Sequence, residues 1–306
     1  MNPSEEKTTL SQNSILQTFE TTQPIGVIGL GLMGTAIAER LLAHGYPVCV
    51  WNRSPDKAEP LTRCGAVWSD EPFRDCDRVI VSLYSSDVVA EVIDRMQSGL
   101  RASQIIIDST TGEPDDSIVM EKKLAALGVR YLDAPISGSS EQTRRGDAMV
   151  MVGGDHLAFE ACSDLWPVLG KTVFHTGESG SASRMKLITN LVLGLNRVAL
   201  AEGLSYAKAI GVNPAAALEV LRGSAAYSRA MDIKGQKMLT SDFSVQAKLS
   251  QHLKDVRIIL TSAQAAGLKL PLSMTHRHLL ELAESNGYGD QDNCSIITVY
   301  QAESDE

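Results

Sequence analysis

Apolar and polar positions follow two different rhythms along this chain, and the change between them falls near residue 180. From Gln23 to about Gly180, short runs of β-forming residues are separated by stretches with helical spacing. The runs are Ile25–Ile28, Pro47–Trp51, Arg78–Leu83, Gln104–Asp108, Val129–Leu132, Ala148–Val152 and Thr172–His175. Strands separated by helices predict a mainly parallel sheet with helices on both faces, allowing a different strand direction near its end. Beyond Gly180 the strand signal disappears. Met185, Ile188, Leu191, Val192, Leu195, Val198 and Ala199 recur at helical spacing and predict one long helix, reaching Ala209 and crossing between domains. Pro214 opens another helix with Asn213 as its N-cap, and further helices are expected around Ser244–Gln264, Leu272–Glu284 and Asn293–Gln301. The expected organisation is an α/β domain over 23–180 and an all-helical domain over 181–301. Residues 1–22 read as a mobile tail and 302–306 as a short one.

The most specific local signal is Gly29-Leu30-Gly31-Leu32-Met33-Gly34, set between the first strand and a helical pattern that stops at Gly45. A glycine turn in this position lets the backbone approach a pyrophosphate, and the helix N-terminus supplies free N–H groups and partial positive charge. Gly29 suits the tight turn, Gly31 leaves room for phosphates, and Gly34 allows close helix–strand packing. The strand–turn–helix context makes this a dinucleotide site rather than an ordinary turn. In such a sheet ligands bind beyond the C-terminal strand ends, so Leu83-Tyr84-Ser85 and Asp108-Ser109-Thr110-Thr111 are candidate cofactor loops.

The second strand ends in Trp51-Asn52-Arg53-Ser54, without the carboxylate that would accept hydrogen bonds from a ribose 2′-hydroxyl. A guanidinium there can grip a 2′-phosphate through two charge-assisted hydrogen bonds, and Asn52 and Ser54 can add neutral ones. NADP(H) is therefore favoured, with NAD(H) also open. The bland alternative is an exposed arginine in a turn.

Composition narrows the picture further. The 306 residues are 43% hydrophobic and 21% charged, enough for two soluble domains, and the net charge of −9 argues against a nucleic-acid partner. No apolar run is read as long enough to span a bilayer, and no signal or transit peptide is apparent, so a cytoplasmic location is expected. Five scattered cysteines without a C-x-x-C pair fit reduced thiols. His276-Arg277-His278 is not read as a metal site, because residues two apart on a helix diverge. Asp290 and Asp292 are read as a polar turn.

Three further segments carry chemistry. Asp133-Ala134-Pro135-Ile136-Ser137-Gly138-Ser139 follows a strand and offers small residues and N–H groups to a carboxylate. Lys186 and Asn190 are four apart and share one helix face. Lys254-Asp255 lies on a later helix, either as a functional pair or as surface charges.

With the glycine motif, these segments resemble the β-hydroxyacid dehydrogenase family, which includes 3-hydroxyisobutyrate dehydrogenase, tartronate semialdehyde reductase and glyoxylate/succinic semialdehyde reductases. The resemblance runs from about Ile25 to Tyr300. It implies a Rossmann domain followed by a helical domain like that of 6-phosphogluconate dehydrogenase, and hydride transfer between a nicotinamide and a small β-hydroxy acid or its semialdehyde. Lys186 is then the catalytic acid/base, and Asn190 orients the substrate and Lys186. Ser137, Gly138 and Ser139 hold the substrate carboxylate, and Lys254 lies near the nicotinamide. Relatives often have glycine at the place of Ser139 and Leu-Pro at the place of Leu83-Tyr84. Arg144 and Arg145 are candidates for a second substrate carboxylate, or are merely solvated. Alternatives of the same fold are an imine reductase and a non-catalytic cofactor-binding scaffold, both of which generally lack the lysine. The apolar faces bearing Leu191, Val192, Leu193 and Leu195 suggest a homodimer or homotetramer.

Overall fold

A computed structural model describes residues 23–300. The readings placed on 1–22, on Gln301 and on 302–306 lie outside them. Nine strands form one sheet: β1 (Ile25–Ile28), β2 (Val48–Trp51), β3 (Val67–Trp68), β4 (Arg78–Val81), β5 (Ile105–Asp108), β6 (Arg130–Asp133), β7 (Ile136–Ser137), β8 (Met149–Gly154) and β9 (Thr172–Gly177). The order is β3-β2-β1-β4-β5-β6-β8-β7, with β9 also paired to β8. The first six strands are mutually parallel, β8 turns antiparallel against β6, and β9 lies parallel to β8. Two of these strands, β3 and β7, have two residues each and are too short to leave a periodic signal.

Strands β1, β4 and β5 are buried along almost their whole length, as expected where helices cover both faces. One core lies on the face of Ile37, Leu41, Val50 and Trp166, the other on the face of Phe73, Val89, Ile93 and Leu124. Chain order reverses between β1 and β4, so the C-terminal ends of these two strands open the crevice in which such sheets bind ligands.

From Ser181 onward the described chain is helical. One helix runs over Ser181–Ala209, and others over Pro214–Arg222, Arg229–Thr240, Leu249–Ala265 and Pro271–Ala283. The described residues end in a tighter 3₁₀ segment, Asn293–Tyr300. Asn213 caps as expected, its Oδ1 accepting from the N–H groups of Ala215 and Ala216. Arg229–Thr240 is a helix that the hydrophobic spacing does not announce. Its buried face includes Lys234, Gly235 and Lys237, polar or featureless residues that periodicity counts as solvent-facing. The helix expected from Ser244 begins instead at Leu249. Residues 246 and 247 are held off the helical path because Asp292 Oδ2 accepts both their N–H groups.

The expectation that no apolar run is long enough to span a bilayer fails for the long helix. By length and composition alone, Ser181–Ala209 is long and apolar enough to cross a membrane. In the fold it packs against the other helices and the sheet while burying Lys186, Asn190 and Arg197 on one side. The beginning of this helix is fixed to the sheet. Gly180 and Ser183 donate their N–H groups to Asp133 at the end of β6, at 3.0 and 2.9 Å. A buried carboxylate thus caps the first turn, where unpaired N–H groups and helix-dipole charge favour an anion.

Candidate active site

A continuous cleft of about 1060 Å³ runs from the C-terminal ends of β1, β2, β4 and β5 to the long helix. At its first end lies the glycine turn. Gly29 has φ +96°, and a Cβ there would sit 2.2 Å from the Ser82 carbonyl oxygen. A Cβ on Gly34 would sit 1.8 Å from the Gly29 oxygen. Gly31 differs, because its Cβ would meet no protein atom within 4 Å and projects only into open space. No side chain caps the first turn of the following helix, Leu32–Ala43, and that turn contains no acid. An open space at Gly31 beside an uncapped helix N-terminus fits a pyrophosphate.

Leu30, Leu32 and Met33 line the same end, together with Asn52, Arg53, Ser54, Leu83, Tyr84 and Thr111. Asn52 performs a different task from the one expected. Its Oδ1 accepts from Leu30 N at 2.9 Å and its Nδ2 donates to Ser54 O at 3.0 Å, so its amide shapes the turn. Arg53 is exposed and has no hydrogen-bond partner among the described residues. Lys57, which no sequence motif marks, also lines this end.

At the other end, Lys186 is buried and donates from Nζ to Ile136 O at 2.8 Å. Burial lowers its pKa to about 8, with Asp255 opposing and Lys254 reinforcing the shift. Asn190 and Asp255 share the wall, with Asn190 Nδ2 donating to Asp255 Oδ2 at 2.9 Å. Burial raises the pKa of the Asp255 carboxyl, against the nearby Lys254 and Lys186 cations. Asp255 lines the cleft, a placement that its position next to Lys254 does not single out.

Lys254 is absent from the cleft wall. Its Nζ donates to the carbonyl oxygens of Tyr84 (3.0 Å) and Thr111, pairs with Asp255 Oδ1 at 3.2 Å, and lies 5.5 Å from the Tyr84 ring centre. It therefore buttresses the two cofactor loops against the helical half.

The loop after β6 also divides its labour. Gly138 and Ser139 line the cleft, whereas Ser137 pairs with Met149 in the sheet and is half-buried behind it. Ser139 caps the helix Ser140–Arg145. Its Oγ accepts from Gln142 N at 3.2 Å while Gln142 Oε1 accepts from Ser139 N at 2.9 Å. This capping box explains a serine at 139, and it occupies the N–H that was expected to face a carboxylate. Arg144 lines the cleft while pairing with Glu39 and Glu141, and Arg145 pairs with Asp147.

The remaining polar candidates resolve differently from their appearance in the sequence. His276 is buried beside His252, with ring centres 5.2 Å apart, while His278 is exposed. No cluster able to hold a metal occurs among the described residues. Asp290 is an exposed partner of Lys248. Asp292, by contrast, is no polar turn. It is fully buried and bonded to Lys234 Nζ at 2.7 Å. Burial pulls its pKa upward, but Lys234 and the donated N–H groups prevail and hold it below the usual value. All five cysteines are free.

These features belong to a nicotinamide-dependent oxidoreductase scaffold, and the similarity to known proteins agrees with the geometry. Residues 24–177 match the NAD-binding domain of 6-phosphogluconate dehydrogenase, and residues 180–300 match the NAD-binding domain of NADP-dependent 3-hydroxyisobutyrate dehydrogenase. The 2-hydroxy-3-oxopropionate reductase of Escherichia coli is 31% identical over 280 residues, covering 89% of this chain and 95% of that protein. The chloroplastic glyoxylate/succinic semialdehyde reductase 2 of Arabidopsis thaliana is 28% identical over 287 residues, covering 92% and 80%. The structure of Psf3 in complex with NADP+ and 2-OPP superimposes with a TM-score of 0.83 at 28% identity, covering 90% of this chain and 99% of that one. The chain belongs to the β-hydroxyacid dehydrogenase family of NAD(P)-dependent enzymes.

Proposed function

We propose that this protein is an NADP(H)-linked dehydrogenase or reductase of a small β-hydroxy acid or its semialdehyde, with Lys186 as general acid/base. The observation that carries the reading is a buried ammonium whose pKa falls to about 8, in the same cleft as the glycine turn. The nicotinamide supplies the hydride when bound. The Gly29–Gly34 turn and the helix N-terminus would hold its pyrophosphate, and Arg53 would hold an adenosine 2′-phosphate, with Lys57 close by.

Reduction of a carbonyl leaves charge on its oxygen, and a protonated Lys186 Nζ donates the proton that neutralises it. In the reverse direction the neutral amine accepts the hydroxyl proton. A pKa near 8 leaves both forms accessible around neutrality, which an exposed lysine cannot do. The Ile136 carbonyl holds Nζ in place by accepting its hydrogen bond. Asn190 donates its nitrogen to Asp255, and its carbonyl oxygen, without a hydrogen-bond partner among the described residues, would accept from the substrate hydroxyl. Gly138, and Ser137 behind it, form the small-residue wall against which the substrate carboxylate would rest. The carboxylate-bearing substrate, a cytoplasmic setting and a homodimer or homotetramer are parts of the same proposal.

The test is NADPH oxidation, followed by absorbance, against a panel of semialdehydes, keto acids and cyclic imines. Turnover of semialdehydes or keto acids that depends on Lys186 supports the reading. Turnover of cyclic imines alone, or no turnover of any compound while NADPH binds, overturns it.

A further inference from the structure

The wall of the cleft beyond Lys186 contains a second buried cation. Lys186, Asn190, Leu193 and Arg197 all line the cleft and stand at intervals of four, three and four residues, the spacing of one helix face. Arg197 is only 4% exposed, yet it forms no hydrogen bond or ion pair among the described residues, and its Nε and Nη1 are buried without partners. The neighbouring cations are accounted for. Lys234 is bonded to Asp292, Lys248 to Asp290 and Lys254 to Asp255. Of these groups, Arg197 alone has no direct hydrogen bond or ion pair among the described residues.

Its surroundings supply no direct partner: the Asp292 and Asp255 carboxylates act on it only at a distance, Asp292 being bonded to Lys234 and Asp255 engaged by Asn190 and Lys254. His252 lines the cleft, and Nε2 of both His252 and His276 is buried without a partner. Burial, with Arg197 nearby, depresses both imidazoles, His276 to about 4 and His252 well below its ordinary value, so both are neutral near pH 7. Asn293 lines the same region with an unpartnered Oδ1. Gly194 makes room for the arrangement, since a Cβ there would sit 2.6 Å from His252 Nε2 and from His276 Cε1. A guanidinium does not shed its proton near neutrality, and an uncompensated buried charge is costly.

We propose that Arg197 is a specificity-determining residue that receives the carboxylate of acids longer than three carbons, the Gly138 wall serving a carboxylate close to the reacting carbon, and that the preferred substrate is such a longer acid. The length follows from the helix. Eleven residues separate Lys186 from Arg197, which is about 16 Å along the axis. Both side chains tilt toward the helix N-terminus, so their heads remain farther apart than the ends of a three-carbon acid. A carboxylate is the simplest group that fits, because it brings the opposite charge and accepts a charge-assisted hydrogen bond from a guanidinium N–H.

This inference rests on the proposed reductase activity and deepens it. The experiment uses the full chain with NADPH and a homologous series of ω-aldehyde acids, lengthening from the three-carbon member, each beside its methyl ester. The wild type is expected to prefer the longer acids over their esters by at least about tenfold in kcat/KM. In Arg197→Met this ratio falls to about one, chiefly through KM, and in Arg197→Lys it is partly kept. As a readout independent of turnover, the preferred acid with NADP+ raises the thermal midpoint of the wild type but not of Arg197→Met. Where Arg197→Met does not fold, Arg197→Lys and Arg197→Gln carry the same comparison. An acid-to-ester ratio unchanged by substitution, or equal thermal protection of wild type and variant, overturns the assignment and leaves water as the partner of the guanidinium. Loss of all turnover in the wild type would instead overturn the reductase reading, while the thermal comparison still decides the anion site.

Discussion

Asn190 and Asp255, on two different helices, are joined by a single 2.9 Å hydrogen bond inside the cleft. This bond fixes which end of the Asn190 amide remains available, and it places the Asp255 charge where it favours the protonated form of Lys186. Asp255 is thus a positioning residue whose influence is electrostatic. In Asp255→Asn the Lys186 pKa is expected to fall below about 8, moving the alkaline limit of the reductive reaction to lower pH. A pH profile of kcat/KM measures this. An unmoved limb with merely reduced activity would mean that Asp255 serves only the packing.

Lys186→Ala should lower turnover by about two to four orders of magnitude. NADPH affinity, followed by fluorescence titration, should change little. Near-normal turnover would remove Lys186 from the chemistry.

The sign of the wild-type pH dependence follows from the lowered pKa. Reduction needs the protonated amine, so its rate falls as pH rises through about 8, whereas oxidation rises over the same interval. The same group also affects stability. An unfolded Lys186 binds its proton up to its ordinary pKa while the folded one releases it near 8, so this residue's contribution to stability increases from pH 8 upward. Lys186→Met is accordingly expected to melt higher than the wild type at pH 7, as removal of a buried charge does. A lower melting temperature would contradict the desolvation argument.

Arg53→Ala should raise KM for NADPH much more than KM for NADH. Equal effects on both, or a wild-type preference for NADH, would point to an arginine that is only solvated. Lys57 provides an internal comparison, because a second cation beside the same phosphate would soften the loss.

Met185, Ile188 and Val192 lie exposed along the outer side of the long helix, opposite in role to its cleft-lining side. Contiguous apolar surface of this kind favours association. Light scattering at micromolar concentration is expected to give a dimer or tetramer, and a mass of one chain would refute it.

What the sequence revealed, and what it withheld, follows from the length scale of each signal. Gly29–Gly34 and the Lys186/Asn190 pair were legible because a turn and one helix face are local. The long helix was legible because its apolar spacing persists over many turns. Strands β3 and β7 were not, being too short to show a period, and Arg229–Thr240 was hidden by buried lysines, whose partners are Asp242 just past the helix end and Asp292 far along the chain. Lys254 was recognisable as unusual, but its strut across Tyr84 and Thr111 spans 170 and 143 residues of sequence. Arg197 did leave a trace: a charge at the eleventh position after Lys186, on an apolar helix, repeats the same face.

The carboxylate of Asp133 clasps the helix one turn ahead of Lys186, and that gives the helix the character of a ruler with its zero mark on the sheet. The lysine stands near the fixed end, indexed to the strands that cradle the cofactor, so changes farther along need not disturb it. Leu193 and Arg197 are graduations at greater reach. Exchanging them offers a route to acids of other lengths or charge while the hydride-transferring end keeps its register.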